Sequence, residues 1–435
     1  MASAYLSRTQ TAGTRTKATF SAWIKRSALG SNQAFFGIYG SADDGGQIEI
    51  RFQGSGEGLH ITGQATNWRR TNRAFRDTNG WYHVVVAFDT TQSTAGDRIK
   101  VYVNGVQETS FAASGDPSQN FNLPFGLNSA TCLVGCRQYN NGVGDYFDGQ
   151  MAHVHLVDGT AYTPTTFGET DATTGIWKPK SSPSGVSYGT NGFFLRFDNS
   201  ANMGLDSSGQ SNNLTTSGTV IQNKDTPTNV FNTLSPIDIP IAGTSTAGTL
   251  PTLSNTNTSI TNSNSAFREV RSNFYVTKGK YYFECKPTRI GGSGAFQVGV
   301  VLRNYSSGSG ERRTYQNSGA KYTPGSSSYG ATFAANDIIG VALNLDDGEI
   351  TFYKNGVSQG VAATDMLTGM DNIGWTAAVN GYDADGHLNF GNGYFCTTAV
   401  SSAQNPDDGI GIFEYDPPTG YKALCTKSIN AQEYS

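Results

Sequence analysis

The sequence has 435 residues, which is long enough for two domains that each bury a core of their own. Only 15% of the residues are charged and the formal net charge is −4, so the bulk electrostatics exclude wholesale binding to nucleic acid or to a membrane surface. The 53 glycines and the lack of a sustained 3.6-residue apolar period exclude a mainly helical protein and favour short β-strands.

The sequence predicts no segment that inserts into a membrane. No apolar run approaches the roughly 18 residues that a bilayer-spanning helix needs. The amino terminus, MASAYLSRTQ, lacks the apolar core of a signal peptide. We therefore expect synthesis in a cytoplasm, no membrane insertion and no nucleic-acid partner.

The amino-terminal half carries a series of short segments in which apolar and polar residues alternate. Strands are predicted at residues 19–25, 34–39, 47–52, 59–62, 81–89, 98–103, 149–157 and 192–197. Residues 211–258 are rich in Thr, Ser, Asn and Pro and predict a polar connector. Further strands are predicted at residues 272–276, 279–287, 295–302, 338–345, 350–354, 374–379 and 387–390. The sequence thus predicts an all-β fold of two antiparallel jelly-roll β-sandwich domains, residues 1–210 and 259–412, followed by a tail at residues 413–435.

One hairpin pattern occurs twice in the chain. Residues 98–106 read RIKVYVNGV and residues 349–357 read EITFYKNGV. Both end in an Asn-Gly pair, the strongest short-range signal for a tight type I′ hairpin. The repeat predicts two related β domains whose hairpins are core scaffolding, so function is expected where the two copies differ.

Longer motifs resemble two known domain families. The amino-terminal half, through TFSAWIK at 19–25, GWYHVVVAFD at 80–89 and FDGQMAHV at 147–154, is similar to the concanavalin A-like, laminin-G-type jelly rolls. The carboxy-terminal half, through GKYYFEC at 279–285 and NDIIGVALNLD at 336–346, resembles the SPRY domain. The resemblance implies a concanavalin A-like sandwich followed by a SPRY-like sandwich.

Segments outside the two sandwiches carry a further resemblance. GIWKPK at 175–180, DTPTNVFNTLSP at 225–236 and PPTGYKALCT at 417–426 look like segments that recur with these domains in structural proteins of marine bacteriophages. The resemblance implies a non-catalytic protein of the virion surface, a tail or head fibre that binds host-surface glycan or protein. Capsid decoration or a structural role in the tail is the alternative, and a glycan depolymerase is a third possibility. Implied partners are other virion proteins and further copies of the chain, with a trimer common in such appendages.

Residues 67–76, NWRRTNRAFR, are the densest candidate binding segment. Trp68 offers a flat ring for stacking, and Arg69, Arg70, Arg73 and Arg76 offer paired donors to carboxylate, sulfate or phosphate groups. The alternative is an edge strand that carries charge to prevent aggregation. An exposed Trp68 would be more than edge protection requires, and both interpretations stay open.

A second candidate group lies in a loop between strands. Tyr139, Asn140, Asn141, Asp145 and Tyr146 have the Tyr and Asn composition of adaptable binding loops. Loops on a rigid sandwich usually carry its function. The same residues would also suit contacts with neighbouring subunits, and the sequence does not separate these two uses.

The sequence predicts no catalytic residue. Glycoside hydrolysis needs two carboxyl groups about 5 to 10 Å apart, which on one strand face means acidic residues two or four positions apart. The strand candidate at 47–52 carries only Glu49, and that at 279–287 carries only Glu284. We therefore expect a binding protein and not an enzyme.

The sequence predicts no metal site, cofactor or disulfide. His153 and His155 are expected to share one strand face, but no neighbouring Cys or Asp completes a ligand set. Residues 383–386, DADG, read as a turn, because the third acidic ligand and terminal Glu of a calcium loop are missing. The five scattered cysteines, including Cys132 and Cys136, are expected to be buried free thiols.

Overall fold

A computed structural model of the chain describes residues 3–139, 142–237, 251–291, 295–303, 311–368, 370 and 373–433. The chain divides into two compact units, Met1–Gln222 and Asn223–Ser435. The division falls within the stretch predicted as a connector. Strand makes up 47% of the chain and helix 3%, which confirms the predicted all-β class.

The first unit contains two large antiparallel sheets. Its strands are β1 (Tyr5–Thr9), β2 (Lys17–Arg26), β3 (Gln33–Tyr39), β4 (Gln47–Phe52), β5 (Gly58–Thr62), β6 (Asn67–Ala74), β7 (Tyr82–Asp89), β8 (Ile99–Val103), β9 (Val106–Gln107), β10 (Phe111–Ala113), β11 (Thr131–Val134), β12 (Arg137–Tyr139), β13 (Gly142–Gly144), β14 (Gly149–Asp158), β15 (Gly168–Thr170), β16 (Trp177–Pro179), β17 (Phe193–Leu195) and β18 (Thr215–Ser217). An eight-stranded sheet has the order β10-β6-β5-β4-β3-β11-β1-β18, and a six-stranded sheet has the order β17-β14-β2-β7-β8-β9. Strands β12 and β13 form a separate hairpin, as do β15 and β16.

The inner faces of these two sheets enclose the core of the first unit. Alternation along β2 directs Phe20 and Ile24 inward from the six-stranded sheet, and alternation along β4 directs Ile48 and Ile50 inward from the eight-stranded sheet. Each such side chain contributes roughly 1.5–3 kcal/mol when it is fully buried. The same alternation sends Gln47, Glu49 and Arg51 of β4 to the outer face of the eight-stranded sheet.

The second unit is built around one large mixed sheet. Its strands are β19 (Thr252–Ser254), β20 (Ser259–Arg271), β21 (Lys280–Ile290), β22 (Phe296–Leu302), β23 (Arg312–Gln316), β24 (Ala320–Tyr322), β25 (Ser326–Ser328), β26 (Ile339–Asn344), β27 (Glu349–Lys354), β28 (Val357–Ala363), β29 (Trp375–Asn389), β30 (Tyr394–Phe395), β31 (Thr398–Ala399) and β32 (Lys422–Ala423). The order β25-β24-β23-β22-β29-β21-β26-β27-β28 is extended by β20 on β29, β19 on β20, and β32 on β21. One helix, α1 (Thr426–Glu433), follows β32. Within the described part of the chain, no helix has the length and apolarity needed to span a bilayer.

The duplicated hairpin has the same turn geometry in both units. Asn104 and Gly105 have φ angles of 50° and 82°, and Asn355 and Gly356 have φ angles of 48° and 79°. Positive φ at both central positions is the requirement of a type I′ turn. The predicted turn is therefore confirmed in both copies, where it joins β8 to β9 and β27 to β28.

Candidate functional site

The Trp68 segment does not form the exposed patch that its composition suggested. The Trp68 side chain is only 1% exposed and packs in the core between the two sheets. Arg69 is also buried, where it forms an ion pair with Asp116 at 2.6 Å and donates to the carbonyl of Ile99 at 3.1 Å. The expectation of an exposed tryptophan is wrong, because β6 directs that side chain inward and shields it with the neighbouring strands.

The remaining arginines of this segment lie in three different environments. Arg73 is exposed and forms an ion pair with Glu108 at 2.8 Å. The edge-strand interpretation is wrong for β6, because β10 pairs with it on the side away from β5. Arg76 is exposed just beyond the end of β6. Arg70 stands opposite His60 on β5 and faces the outer side of the eight-stranded sheet. Arg70 therefore belongs to that face, as does Asn67, whose side-chain oxygen lies 2.8 Å from Nε2 of His60.

The predicted loop residues do not all lie in one place in the structure. Asn140 and Asn141 lie outside the described residues. Tyr146 packs its ring against Tyr5, with centroids 6.2 Å apart. Tyr139 and Asp145 belong to the β12–β13 region, which packs against β3 on the outer side of the eight-stranded sheet. Asp145 joins a polar group that the sequence analysis did not predict, and Tyr139 borders this group.

We call this group the outer-face cluster, and it consists of Glu49, Arg51, His60, Arg137 and Asp145. The Nε atom of Arg137 lies 2.7 Å from Asp145 and 3.1 Å from Glu49. Arg51 lies 3.4 Å from Asp145 and 3.7 Å from Glu49. The cluster is therefore a crossed set of four ion pairs between β4 and the β12–β13 region, and all four charged side chains are mostly buried.

His60 is held neutral at one side of the outer-face cluster. Arg51 can only donate a hydrogen bond, so its 3.2 Å contact requires an unprotonated Nδ1 on His60. The proton then sits on Nε2, which donates to the side-chain oxygen of Asn67 at 2.8 Å. Burial and the positive charge of Arg51 lower the pKa of His60 to about 4. The imidazole consequently adds no positive charge to this face near neutral pH.

Three buried polar atoms of the outer face have no hydrogen-bond partner among the described residues. They are Nη1 of Arg137 and both amide atoms of Gln47. Glu49 is instead held by its ion pairs with Arg51 and Arg137, which oppose the rise in its pKa that burial causes. Buried donors and acceptors normally find a partner, so the three atoms have hydrogen-bonding capacity that the described side chains do not use.

An aromatic ring borders these polar groups. The guanidinium carbon of Arg137 lies 4.0 Å from the ring centroid of Tyr139, and the tyrosine is 38% exposed. The stack fixes the ring, while the exposed part remains available to a ligand. A few oriented polar groups beside an apolar or aromatic surface are the usual composition of a small-molecule binding site.

The cluster also contains two neighbouring carboxylates. Glu49 and Asp145 contact the same nitrogen of Arg137, although they come from distant parts of the sequence. The search for acidic pairs along single strands missed this arrangement, because the second carboxylate arrives with the hairpin and not on β4. Both carboxylates are ion-paired with Arg137, and burial raises the pKa of Glu49. Glycoside hydrolysis would require one carboxyl group to act as a general acid.

The predicted histidine pair lies on one side of the sheet. Both imidazole rings contact Phe194, with centroid distances of 5.6 Å for His153 and 3.9 Å for His155. A bulge between Ala152 and His155 shifts the pairing of β14 with β2, and His153 has a φ angle of 48°. No group of three or more ligating side chains that could hold a metal occurs among the residues described.

Two smaller predictions have definite outcomes. Residues 383–386 lie inside strand β29 and do not form the expected turn. Arg289 donates to both carboxylate oxygens of Asp385, at 2.8 and 2.9 Å, so a cationic side chain already occupies this acidic position. Cys132 and Cys136 are buried free thiols, as expected. Burial raises the pKa of each thiol to about 12, which makes them poor nucleophiles.

Family comparisons agree with the prediction of two β-sandwich domains. Residues 2–166 match the family model described as the concanavalin A-like lectin/glucanases superfamily. Residues 280–371 match the model of the SPRY domain. The chain therefore contains a concanavalin A-like domain followed by a SPRY domain, and both are β-sandwich folds.

Solved structures with similar folds are distant in sequence. The SPRY domain of human HERC1 is 18% identical, with 30% of this chain and 87% of that chain covered and a TM-score of 0.27. A putative carbohydrate binding protein from Bacteroides ovatus is 18% identical, with 50% and 57% covered and a TM-score of 0.33. Domain 4 of AbnA, an extracellular arabinanase from Geobacillus stearothermophilus solved with arabinotriose, is 21% identical, with 35% and 65% covered and a TM-score of 0.27.

Proposed function

We propose that the protein binds a carbohydrate, without catalysis, through the outer-face cluster and Tyr139. The observation that carries the proposal is the fixed, partly exposed ring of Tyr139 beside polar groups of the outer face, where Nη1 of Arg137 and the amide of Gln47 have unused hydrogen-bonding capacity. Sugar hydroxyls both donate and accept hydrogen bonds, and the C–H face of a sugar ring suits an aromatic surface. The match of residues 2–166 to a superfamily of lectins and glucanases supports the same class of ligand.

A glycan array with the full chain tests this proposal. Tyr139→Ala should weaken binding to the array hits at least roughly fivefold, because the sugar loses its stacking surface. Tyr322→Ala is the matched control, since Tyr322 in the second unit also carries an arginine, Arg312, 4.0 Å from its ring. Equal binding by both variants and the unmodified chain would contradict the site assignment. Failure of the unmodified chain to bind any glycan would contradict the function.

We further propose that the protein acts on the surface of a bacteriophage particle, as a tail or head fibre that binds host-surface glycan. The support is the resemblance of residues 175–180, 225–236 and 417–426 to segments of phage structural proteins. Other virion proteins would be its partners, and a homo-oligomer, with a trimer as the first candidate, would be its assembled form. Antibody labelling of purified particles tests the location, and native mass measurement tests the oligomer. Unlabelled particles would refute the virion role.

A capsid-decoration or tail structural role is the second candidate. It is favoured by exposed apolar side chains on the protein, namely Val106 (69% exposed) and Val357 (65%) after the two duplicated turns, and Ile176 (60%). Contact with other virion subunits would bury such groups. Replacing Val106 and Val357 by Ser should then reduce incorporation into particles without changing glycan affinity. Normal incorporation of that variant would leave the decoration role without its support.

Depolymerase activity is the third candidate, and the Glu49 and Asp145 pair is its support. Hydrolysis would release reducing ends from the bound polysaccharide, whereas a binding protein releases none. If reducing ends appear and are lost in Glu49→Gln, the non-catalytic proposal is overturned.

A further inference from the structure

The charges of the outer-face cluster and Arg70 do not cancel. The acidic groups of the cluster are Glu49 and Asp145, and both are ion-paired with Arg51 and Arg137. Arg70 lies on the same face and, within the described part of the chain, has neither an ion pair nor a side-chain hydrogen bond. One positive charge therefore remains after the pairing is complete.

The excess charge lies at a defined place along the face. Arg70 on β6 is paired in register with His60 on β5, which is paired in turn with Arg51 on β4. Two strand spacings of roughly 4.8 Å place the backbone of Arg70 about 10 Å from that of Arg51. Tyr139 lies on the opposite side of Arg51, because β12 packs against β3. The face thus has an aromatic side, a neutralised centre and a cationic side.

The imidazole beside Arg70 does not change this polarity. His60 is neutral, because Arg51 donates to its Nδ1 atom and its own Nε2 proton goes to Asn67. The proximity of Arg70 also helps to lower the pKa of His60. An anion that approaches Arg70 therefore meets one half-buried guanidinium group that forms no ion pair with any described carboxylate.

We infer that the glycan bound at this site is acidic, with its anionic group on Arg70 while a neutral part of the same chain stacks on Tyr139. The inference rests on the proposed glycan-binding function and specifies its ligand class. A guanidinium group pairs with planar carboxylates and with sulfate esters through the same N–H donors. Glu49 and Asp145 disfavour an anion at the centre of the face. The glycan should therefore lie with its anionic group at Arg70 and its neutral part at Tyr139.

The experiment compares neutral, uronate-containing and sulfated glycans on one array with the full chain. Acidic glycans should be preferred, and their binding should weaken when sodium chloride is raised from about 0.1 M to about 1 M, because salt screens a partly exposed charge pair. Hits confined to uronates or to sulfated glycans identify which oxyanion is recognised. Preference for neutral glycans overturns the inference but leaves the proposed function intact, whereas the absence of all binding removes the proposed function.

Two matched substitutions separate a specific contact from bulk charge. Arg70→Gln should weaken binding to the acidic hits by roughly fivefold to fiftyfold and reduce its salt dependence, because one charge-assisted contact is lost. Arg76→Gln makes the same change in net charge at an exposed position beyond the end of β6, and it should leave the affinity unchanged. Equal losses in the two variants, or no loss in Arg70→Gln, would overturn the assignment of the anion to Arg70.

Discussion

Trp177 donates its indole N–H to Nδ1 of His83 at a distance of 2.9 Å. An indole N–H can only donate, so Nδ1 must be unprotonated and the His83 imidazole must be neutral. The ring also stacks on Trp23, with centroids 4.8 Å apart, and its Nε2 atom lies 2.9 Å from the hydroxyl of Ser21. The contacts that join Trp177 to Trp23 and Ser21 of the six-stranded sheet therefore require a neutral His83 imidazole.

This dependence predicts acid sensitivity of the first unit. Burial lowers the pKa of His83 to about 3 and that of His153 to about 4, both from the ordinary 6.5, and it also lowers the pKa of His155. At a pH between the lowered pKa of each histidine and the ordinary value of 6.5, the imidazole is protonated in the unfolded chain but not in the folded chain. The free energy of unfolding should be highest above about pH 6.5 and fall as the pH drops toward 4. Denaturant titrations at several pH values measure the decline.

His83→Gln provides the control for that measurement. The glutamine amide oxygen can accept the indole N–H of Trp177 but does not titrate. In this variant, the free energy of unfolding should lose the part of its pH dependence that His83 contributes. A slope identical to that of the unmodified chain would show that His83 is not a source of the acid sensitivity.

The two duplicated turns should lose similar amounts of unfolding free energy when the same residue is replaced in each. The side-chain oxygen of Asn104 accepts the backbone N–H of His83 at 2.8 Å, and that of Asn355 accepts the backbone N–H of Ile338 at 2.7 Å. Replacement of either asparagine by Ala removes this bond, and it also removes the short polar side chain that lets asparagine adopt the left-handed region more readily than alanine. Each change should cost about 2 kcal/mol of unfolding free energy. Denaturant unfolding should show comparable losses, and a loss in one variant alone would contradict equivalence.

The fold was largely predictable because the signals that specify it are local. Alternation in segments such as 19–25 and 81–89 needs only neighbouring residues, and it predicted β2 and β7 with ends close to those observed. The Asn-Gly turns depend on two adjacent residues for the same reason. Bulges are different, because an extra residue is accommodated by the partner strand. The bulge in β14 shifts its register with β2 between Ala152 and His155, which alternation could not anticipate.

The candidate site was less predictable because its members are distant in sequence. Exposure cannot be read from composition, so Trp68 was assigned to the surface although β6 buries it in the core. Asp145 and Tyr139 were predicted as loop residues with binding composition, although Tyr139 ends strand β12. The contacts of Asp145 with Arg51 and of Arg137 with Glu49 exist only because the β12–β13 region folds onto the eight-stranded sheet, and no local pattern encodes them.

A buried ion pair in the first unit predicts a large loss of stability. The Arg26 side chain is completely buried, lies 2.8 Å from Glu57 and stacks over the ring of Phe52 at 4.5 Å. Burial lowers the pKa of Arg26, although Glu57 opposes the shift. Glu57→Gln should cost about 3 to 5 kcal/mol of unfolding free energy, because it leaves the guanidinium group uncompensated. The double variant Arg26→Met with Glu57→Gln should be less destabilised in the same denaturant titration, and a further loss would contradict this explanation.

The second unit should respond to pH in the opposite direction. Glu284 is buried on β21, where its carboxylate accepts the backbone N–H groups of Glu414 and Tyr415, each at 2.9 Å. Burial raises its pKa to about 7, and these hydrogen bonds only partly oppose the rise. The folded chain therefore binds a proton that the unfolded chain has lost between about pH 4.5 and 7. Stability contributed by this group should be complete below about pH 4.5 and fall as the pH rises to 7.

Hydrogen exchange of the amides around Tyr282, read separately from those of the first unit, measures this trend, and Glu284→Gln should remove it. An unchanged trend in that variant would assign the pH dependence to another group.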